Sequence, residues 1–272
     1  MRNRTLLAGL AITVIVLFGV TVGAALMPYS ATTMDFVNVL QPPSLAHPLG
    51  TDSFGRDVLT RVLVGARVSL LISFSGVTLA SVIGTAAGMI AAWTEGAGET
   101  GLMALVDLLF AFPSFVLALF LMVILGFGLQ DVVIAIALVY FPIFARLARN
   151  LTAVLKNEPY VQAARLAGQP PWMILVREIL PNILSALMVQ ATIAIAFGVV
   201  IEAGLSFLGL GVQPPTPSLG VIMADGREYF DRAPWVLTLT GLAVSISLLG
   251  LNLLGDGLRD LSDPRLREVL GR

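Results

Sequence analysis

Long runs without a charged residue constrain this chain more than any other feature. Four such runs reach or exceed about 20 residues, the length that a helix needs to cross the hydrocarbon core of a bilayer. They are Leu6–Met27, Val68–Trp93, Ile179–Ile201 and Val236–Gly255. Two further candidates are weaker, because Leu102–Gly126 contains Asp107, and Val132–Ala145 is short and contains Pro142. The pattern predicts an all-α integral membrane protein with about six transmembrane helices.

The composition and the charge distribution agree with this prediction. Only 12% of the 272 residues are charged, whereas about a quarter of a soluble domain is. The chain begins with Arg2 and Arg4, followed by an apolar run longer than the core of a signal peptide. We therefore predict an uncleaved first helix. With the N-terminus inside, 11 of the 16 Lys and Arg residues lie in inside segments, so the positive-inside rule predicts that both termini are cytoplasmic.

Residue types that carry most catalytic and metal chemistry are scarce. There is no Cys, a single His (His47), and no paired carboxylates. A phosphate-binding loop ends in Gly-Lys followed by Ser or Thr, but the one lysine, Lys156, follows Leu155. We therefore predict no catalytic residue, no metal site and no cofactor in this chain. There is no basic tail or block of like charge either, and we expect no nucleic-acid partner.

Non-enzymatic alternatives remain. A channel or a secondary transporter would carry charge or broken helices at mid-membrane depth. No charge lies in the middle of any predicted span, and no internal repeat is visible, which disfavours this class. A structural assembly factor is compatible with the same chemistry and stays open.

The segment between the fourth and fifth predicted spans carries strong helix signals. Asn157-Glu158-Pro159 is typical of a helix start, with a capping side chain, an acid and Pro in the first turn. Gly168 fits the left-handed position that ends a helix, and Pro170 and Pro171 prevent its continuation. We predict a second short helix, Trp172–Leu180, closed by Pro181 before the next span.

Two uses of this helix–turn–helix are open from the residues alone. It is either a structured loop, held against the bundle by Leu166, Met173 and Val176, or a docking element. The small residues of its first helix allow another surface to approach closely. They are Ala163, Ala164 and Ala167.

The same segment resembles the cytoplasmic EAA loop of ATP-binding-cassette (ABC) importer permeases. That pattern is E-A-A-x-x-x-G, followed some way later by L-P. The residues that match in type and spacing are Ala163, Ala164, Gly168, Leu180 and Pro181. Gln162 stands where the pattern has Glu, and Glu178 stands where many members have Ile. The resemblance implies that the loop, with Tyr160 and Gln162, couples the permease to an ATPase.

Three other stretches are similar to the dipeptide/oligopeptide/nickel group of these permeases. They are His47–Leu70 (HPLGTDSFGRDVLTRVLVGARVSL), Gly204–Tyr229 (GLSFLGLGVQPPTPSLGVIMADGREY) and Gly255–Arg267 (GDGLRDLSDPRLR), the last matching the tail of a "C"-type subunit. The resemblance covers residues 1–267 and implies the type I ABC importer permease fold. It implies one membrane unit, divided into 1–67 (first span and extracytoplasmic segment), 68–257 (permease core) and 258–272 (cytoplasmic tail).

The resemblance also implies partners and a cargo. The chain would form a heterodimer with a paralogous permease in a bacterial or archaeal inner membrane, with two ABC ATPases that bind ATP and Mg²⁺. An extracytoplasmic substrate-binding protein would deliver di- or oligopeptides. Nickel chelates, opines and glycosides are alternative cargoes of the same group.

Several polar residues outside the coupling loop are further candidates. Asp107 and Glu202 lie near span ends and could contact the substrate or a gate. An extracytoplasmic charged cluster could face the binding protein, and its members are Asp225, Arg227, Glu228, Asp231 and Arg232. Arg56–Arg67 is predicted to be an amphipathic helix with an Asp57–Arg61 pair on its polar side. It would be an interfacial helix that anchors the loop or a contact with the substrate-binding protein.

Local backbone signals inside the spans predict packing features. Gly76, Ala80, Gly84 and Gly88 recur at every fourth position, a spacing that lets a neighbouring helix approach closely. Pro113 and Pro142 are each expected to kink a span.

Overall fold

The structure, a computed structural model, describes residues 2–262 and, within them, the side chains of residues 6–257. Regular structure in these residues is helical, apart from one isolated bridge between Thr51 and Asp57. The helices are α1 (Arg2–Phe18, continued by the π-helical turn Gly19–Gly23 and by Ala24–Leu26), α2 (Val58–Thr94), α3 (Gly96–Phe110), α4 (Ser114–Leu125), α5 (Leu129–Leu155), α6 (Pro159–Leu166), α7 (Pro171–Phe207), α8 (Leu219–Glu228) and α9 (Pro234–Ser262). Of the predicted tail, 258–272, the part beyond Ser262 lies outside the described residues.

Five helices are long and apolar enough to cross a membrane: α1, α2, α5, α7 and α9. The pair α3 and α4 completes the six spans if both helices are counted as one. The six-span prediction is thus confirmed, but its third span, Leu102–Gly126, is not one helix. The chain bends by 98° between α3 and α4. Pro113 has no amide hydrogen and an extended ψ of 133°, so the helix stops before it rather than merely kinking.

At the second proline the helix does not end. Helix α5 runs from Leu129 to Leu155 through Pro142. The fourth span is thus Val132–Ala145 together with flanks at both ends, which the short apolar run needs in order to cross a membrane. Pro142 and its neighbours Tyr140 and Phe144 are buried, so surrounding helices hold the helix together where one backbone hydrogen bond is missing.

The predicted stop at Pro181 is also wrong. Helix α7 is continuous from Pro171 to Phe207. A π-helical turn, Leu175–Ile179, precedes Pro181, which stands in the first turn of the α-helical part that follows. The wider turn changes the hydrogen-bond register just before the residue that cannot donate. The element expected to be a separate short helix is the beginning of the spanning helix.

Helix α2 extends further than its apolar run. It begins at Val58, so Arg56–Arg67 is not an interfacial helix but enters the span directly. The expected boundary between residues 67 and 68 therefore falls inside α2. Asp57 caps the helix by accepting a hydrogen bond from the Thr60 amide. That cap is stronger than the Asp57–Arg61 pair that the sequence suggested, because a capping carboxylate also sits at the positive end of the helix dipole.

The predicted small-residue face of α2 packs against α5. A Cβ added at Gly84 would lie 2.8 Å from the Phe141 carbonyl oxygen, and one added at Gly88 would lie 2.1 Å from that of Ala145. The two backbones are therefore in direct contact, a closeness that only glycine permits. The neighbour that the spacing required belongs to this chain.

Two hydrophobic clusters organise the bundle. The larger contains buried residues of α2 and of α4 to α8, including Ile72, Met122 and Phe144. The smaller joins α1 and the beginnings of α2, α8 and α9 through Val20, Val58 and Ile222 among others. The first extends from the coupling loop to α8, and the second supports the segments at the beginning of α2.

The α2–α5 contact leads to a paired prediction. Gly88→Ala places a Cβ against the Ala145 carbonyl group, and we expect it to lower the free energy of unfolding by about 1–3 kcal/mol, as overpacking does. The control, Gly98→Ala on α3, meets nothing within 4 Å, so helix propensity should leave it neutral or slightly stabilised. The measurement is the temperature at which detergent-solubilised protein loses its monodisperse gel-filtration peak. Equal melting of both variants would contradict the close approach.

Candidate functional site

The coupling loop, the segment from the end of α5 to the first turns of α7, has the predicted turn geometry except at its N-cap. No side chain caps α6, and the Asn157 side-chain amide instead donates to the Ala153 carbonyl oxygen at 3.3 Å. Pro159 occupies the first turn of α6, after Glu158 in an extended conformation. Gly168 ends the helix with a φ of +76°. The Gln169 amide then donates to the Ala164 carbonyl oxygen at 3.2 Å, and the Gly168 amide donates to that of Arg165 at 3.0 Å. These bonds satisfy the last carbonyl groups of α6 and set the angle at which α7 begins.

The buried side of the loop is not the side that the sequence suggested. Val161 and Ala164 of α6 are buried, as are Ile174 and Ile179 of α7. Leu166, expected to hold the loop in place, is 89% exposed, and Val176 is also exposed. Spacing alone placed the apolar residues on the wrong face, because the direction of the bundle relative to α6 is a tertiary property.

The exposed side of the loop carries large apolar groups that nothing within residues 2–262 covers, together with the polar side chains of Gln162 and Arg165. Leu166 and Trp172 (65% exposed) are the largest of the exposed apolar groups. Large exposed apolar groups on a rigid element mark interaction surfaces more often than isolated exposed leucines do. Leu180 and Pro181, which complete the sequence pattern, lie inside α7 and connect this surface to the span.

Polar groups stiffen the loop from within. The Gln162 side-chain amide donates to the Lys156 carbonyl oxygen at 3.0 Å, which is the local role of the residue that replaces Glu in the family pattern. Burial and the nearby carboxylates of Glu158 and Glu178 raise the pKa of Tyr160. Its hydroxyl therefore stays neutral and keeps its hydrogen for donation at physiological pH.

The loop is tied to the C-terminal end of α2 by three contacts. The guanidinium carbon of Arg165 lies 4.1 Å from the centroid of the Trp93 ring, a cation–π contact. The Lys156 ammonium group donates to the Ala92 carbonyl oxygen at 2.9 Å and pairs with Glu95. The hydrogen bond from Lys156 lowers the pKa of Glu95, so this pair is intact throughout the neutral pH range.

Two more ion pairs join α3 to the same half of α5. Asp107 pairs with Arg146, whose guanidinium carbon lies 4.4 Å from the centroid of the Phe110 ring. Arg149 donates from Nε to Glu99 at 2.6 Å. Asp107 is thus a partnered and exposed acid near the loop. Its assignment to the path or gate remains a prediction.

A buried cluster of charge lies at the opposite end of α2. Arg56 donates from Nε to Asp52 at 2.7 Å, and Arg61 also pairs with Asp52. Both guanidinium groups reach Asp225 of α8, at 3.2 Å. The side chain of Arg61 is only 2% exposed. The positive charges of two Arg side chains are thus balanced by two Asp side chains, and both guanidinium groups are buried. The cluster joins the loop before α2 to α8.

The sequence prediction missed this cluster. It placed Arg61 on a solvated face, paired with Asp57, but Asp57 instead contacts Thr60 and the Nδ1 atom of His47, the latter at 2.9 Å. A signal was available in the spacing, because Arg61, Gly65 and Ser69 lie four residues apart and share one helix face. That stripe of small and polar residues in an apolar helix marks the face against which α8 packs.

Glu202 belongs to the last turns of α7 and lies beside the N-terminal end of α8. It is fully buried. It accepts a hydrogen bond from the Ser206 hydroxyl at 2.7 Å, and the Ser69 and Ser218 hydroxyls face the same carboxyl group. The Ser69 hydroxyl also accepts from the Leu219 amide at 3.2 Å. Glu202 therefore connects α2, α7 and α8, and its burial argues against direct contact with a substrate in this arrangement.

The remaining charged residues predicted to face a binding protein are on the surface. They are Arg227, Glu228, Asp231 and Arg232, and all four are exposed. Asp225 differs, because its carboxylate is turned toward Arg56 and Arg61. The structure therefore divides the predicted cluster into one inward-facing and four outward-facing members.

A groove of about 560 Å³ separates the second half of α2 from the first half of α7. Its lining is largely apolar and includes Val82, Met89, Leu180 and Leu187. No charged residue lines it, so it offers no group that would recognise the charged ends of a peptide.

The sequence of the chain matches a protein family described as "Binding-protein-dependent transport system inner membrane component" over residues 84–268. The chain belongs to this family. It is a multi-pass inner-membrane protein and a permease subunit of an ABC importer, as the motif resemblance predicted.

Related permeases extend the match over nearly the whole chain. A di/tripeptide transport system permease protein DppC of Pseudomonas aeruginosa is 40% identical, over 98% of this chain and 90% of its own length. A glutathione transport system permease protein GsiD of Pectobacterium atrosepticum is 42% identical, over 89% of this chain and 81% of its own. The similarity therefore extends well beyond the segment between α5 and α7.

The permease fold has a solved counterpart. A chain of the MetNI methionine ABC transporter, in an inward-facing conformation, superimposes with a TM-score of 0.59. The alignment covers 73% of this chain and 95% of that chain at 21% identity. The likeness confirms the predicted type I importer permease architecture.

The buried charge cluster leads to a stability prediction. Asp52→Asn removes the more deeply buried of the two acids that both arginines share. It leaves buried positive charge in excess, which costs about 3–5 kcal/mol when one partner of a buried pair is lost. The control is Asp35→Asn in the same loop, because the Asp35 side chain is exposed and accepts hydrogen bonds only from its neighbours Val37 and Asn38. We expect a clear fall in the melting temperature for Asp52→Asn alone. Equal melting temperatures for the two variants would show that the charged side chains of the cluster remain in contact with water.

Proposed function

We propose that this permease forms half of a translocation path for di- or oligopeptides delivered by a substrate-binding protein. One observation carries the proposal. The relatives that match 89–98% of the chain at 40–42% identity are named for di/tripeptide and glutathione transport, and glutathione is itself a small peptide. No feature of the described residues favours nickel chelates, opines or glycosides over peptides.

The energy source in this proposal is a pair of ABC ATPases that carry the ATP and Mg²⁺ sites. The coupling loop would dock on them through its exposed face, with Leu166 and Trp172 as the apolar contacts. The rigid turn at Gly168 and the direct passage of the loop into α7 support this role. A push on the loop would reach the span without crossing a flexible joint.

The second half of the path would be a paralogous permease, so that the membrane unit is a heterodimer. The coupling loop, and with it both chain termini, would lie in the cytoplasm, as the distribution of Lys and Arg favours. The binding protein would then dock at the opposite end, where Arg227, Glu228, Asp231 and Arg232 are exposed.

Native mass spectrometry of the gently solubilised complex tests the whole proposal. We expect this chain to co-purify with one paralogous permease and two ATPase chains. A peptide released from the co-purified binding protein would establish the substrate class. A chain that is isolated alone, under conditions that preserve other membrane complexes, would overturn the proposal, and a nickel chelate or glycoside in the binding protein would overturn its peptide part.

The coupling role of the loop gives a paired mutational prediction. Gly168→Arg places a bulky side chain on the docking face, and we expect peptide uptake to fall by at least tenfold, while ATPase docking is weakened and the chain still inserts. Gly209→Arg is a matched control, because Gly209 has a φ of +79°, close to the +76° of Gly168, and an added Cβ meets nothing within 4 Å at either glycine. Both variants bear the same backbone strain, about 1–2 kcal/mol.

Uptake into proteoliposomes, with inserted protein quantified in parallel, is the measurement. Similar losses in both variants would point to strain alone. Wild-type uptake by Gly168→Arg would refute the docking role.

A further inference from the structure

One unbroken helix extends between the buried charge cluster and the coupling loop. Helix α2 has 37 residues, Val58–Thr94, and at 1.5 Å per residue it is about 55 Å long. Arg61 lies in its first turns and Trp93 in its last. Helix α7 also runs from the loop to the Glu202 end of α8. Helix α2 differs in that it carries Arg61 of the charge cluster at one end and Trp93, beside Arg165 of the loop, at the other.

The first end of α2 is held to α8 by polar contacts and by close packing. Arg61 reaches Asp225, and the Ser69 hydroxyl accepts from the Leu219 amide. Between them, a Cβ added at Gly65 would lie 3.1 Å from the Ser218 carbonyl carbon. Helix α8 cannot shift along α2 without separating buried charges or closing on a backbone that is already in contact.

The last end of α2 is held to the coupling loop in a comparable way. Trp93 stacks under Arg165, and the Ala92 carbonyl oxygen and Glu95 share Lys156. These contacts join two different parts of the loop, its entry at Lys156 and its first helix at Arg165. A displacement of the end of α2 would therefore move both parts of the loop.

Between its ends, α2 is supported along α5. The glycine contacts at Gly76, Gly84 and Gly88 bring the two helices together over about three turns, and such close packing resists sliding and bending. Helices α2 and α5 are therefore expected to move together as one unit, and α5 itself leads directly into the loop.

We propose that α2 is the mechanical link between the extracytoplasmic segments and the coupling loop. Docking of the binding protein on the surface beside α8 would move the Arg56–Arg61–Asp225 cluster, and α2 would pass that movement to the loop through Trp93 and Arg165. Arg61, Asp225 and Trp93 are thus positioning residues for the coupling of substrate delivery to ATP hydrolysis. The inference rests on the proposed function.

Stability measurements would not distinguish a mechanical link from a merely structural contact. A comparison of single and double variants by their ATPase stimulation does distinguish them. Two sites at opposite ends of α2 are far beyond the distance at which mutational effects normally interact, so independent effects should multiply in rate. If both contacts serve one link, breaking the second after the first has no further effect. Such non-additivity is the evidence that a proposed pathway requires.

The experiment uses the complete importer in nanodiscs, with both permeases, both ATPases and the peptide-loaded binding protein. The variants are Asp225→Asn, Trp93→Leu and their combination, and the measured quantity is ATPase activity with and without the binding protein. We expect each single variant to reduce the stimulation by about fivefold or more, within the usual range of coupling between sites, at near-normal basal activity. We expect the double variant to resemble the singles.

Glu99→Gln serves as the control, because it breaks an ion pair between α3 and α5 that belongs to neither end of α2. It should keep normal stimulation. If Asp225→Asn does not assemble, Ser69→Ala breaks a milder contact at the same end and takes its place. Normal stimulation in the single variants, or a double variant in which the two losses multiply, would overturn the link.

The wild-type importer separates this inference from the proposal on which it rests. A wild-type complex that the peptide-loaded binding protein does not stimulate would overturn the proposed function and the link together. A wild-type complex that responds, with variants whose effects are independent, would overturn the link alone.

Discussion

The close approach of α2 and α5 is the contact on which the rest of the molecule depends. Glycines replace side chains along the interface, so the helices meet backbone to backbone and gain many dispersion contacts that lipid cannot replace. Because α5 leads directly into the coupling loop, this contact sets where the loop lies against the end of α2. It also directs the first turns of α2 toward α8. One interface therefore places both regions that carry the proposed function.

Charge is confined to the two ends of this pair of helices, in two different ways. Near the coupling loop the pairs are exposed or half-exposed, as with Asp107–Arg146, and each contributes little to stability. At the other end Arg61 and Asp52 are buried and depend on each other, because an unpaired charge there would bear its full desolvation cost. The exposed pairs can rearrange during a transport cycle, whereas the buried cluster is suited to moving as a unit.

Local signals predicted the coupling loop well, because they act over a few residues. A proline in the first turn and a glycine at the left-handed position have only a few compatible backbone conformations. The six spans were predictable for a similar reason, since length and apolarity decide insertion. The errors at prolines were two: the helix ends before Pro113, where a kink was expected, and it continues through Pro181, where a stop was expected. The residues around a proline do not determine whether neighbouring helices will stabilise the turn that contains it.

The amino-acid sequence by itself determined the membrane character, the number of spans and the start and end of α6, because each follows from hydrophobic length or from intrinsic backbone preference. Tertiary structure decided which face of the coupling loop is buried, that Arg61 is a buried partner of Asp52 and Asp225, and that Glu202 connects three helices. Those outcomes depend on contacts between residues far apart in the chain. Their energies, unlike local propensities, exist only once the helices have packed.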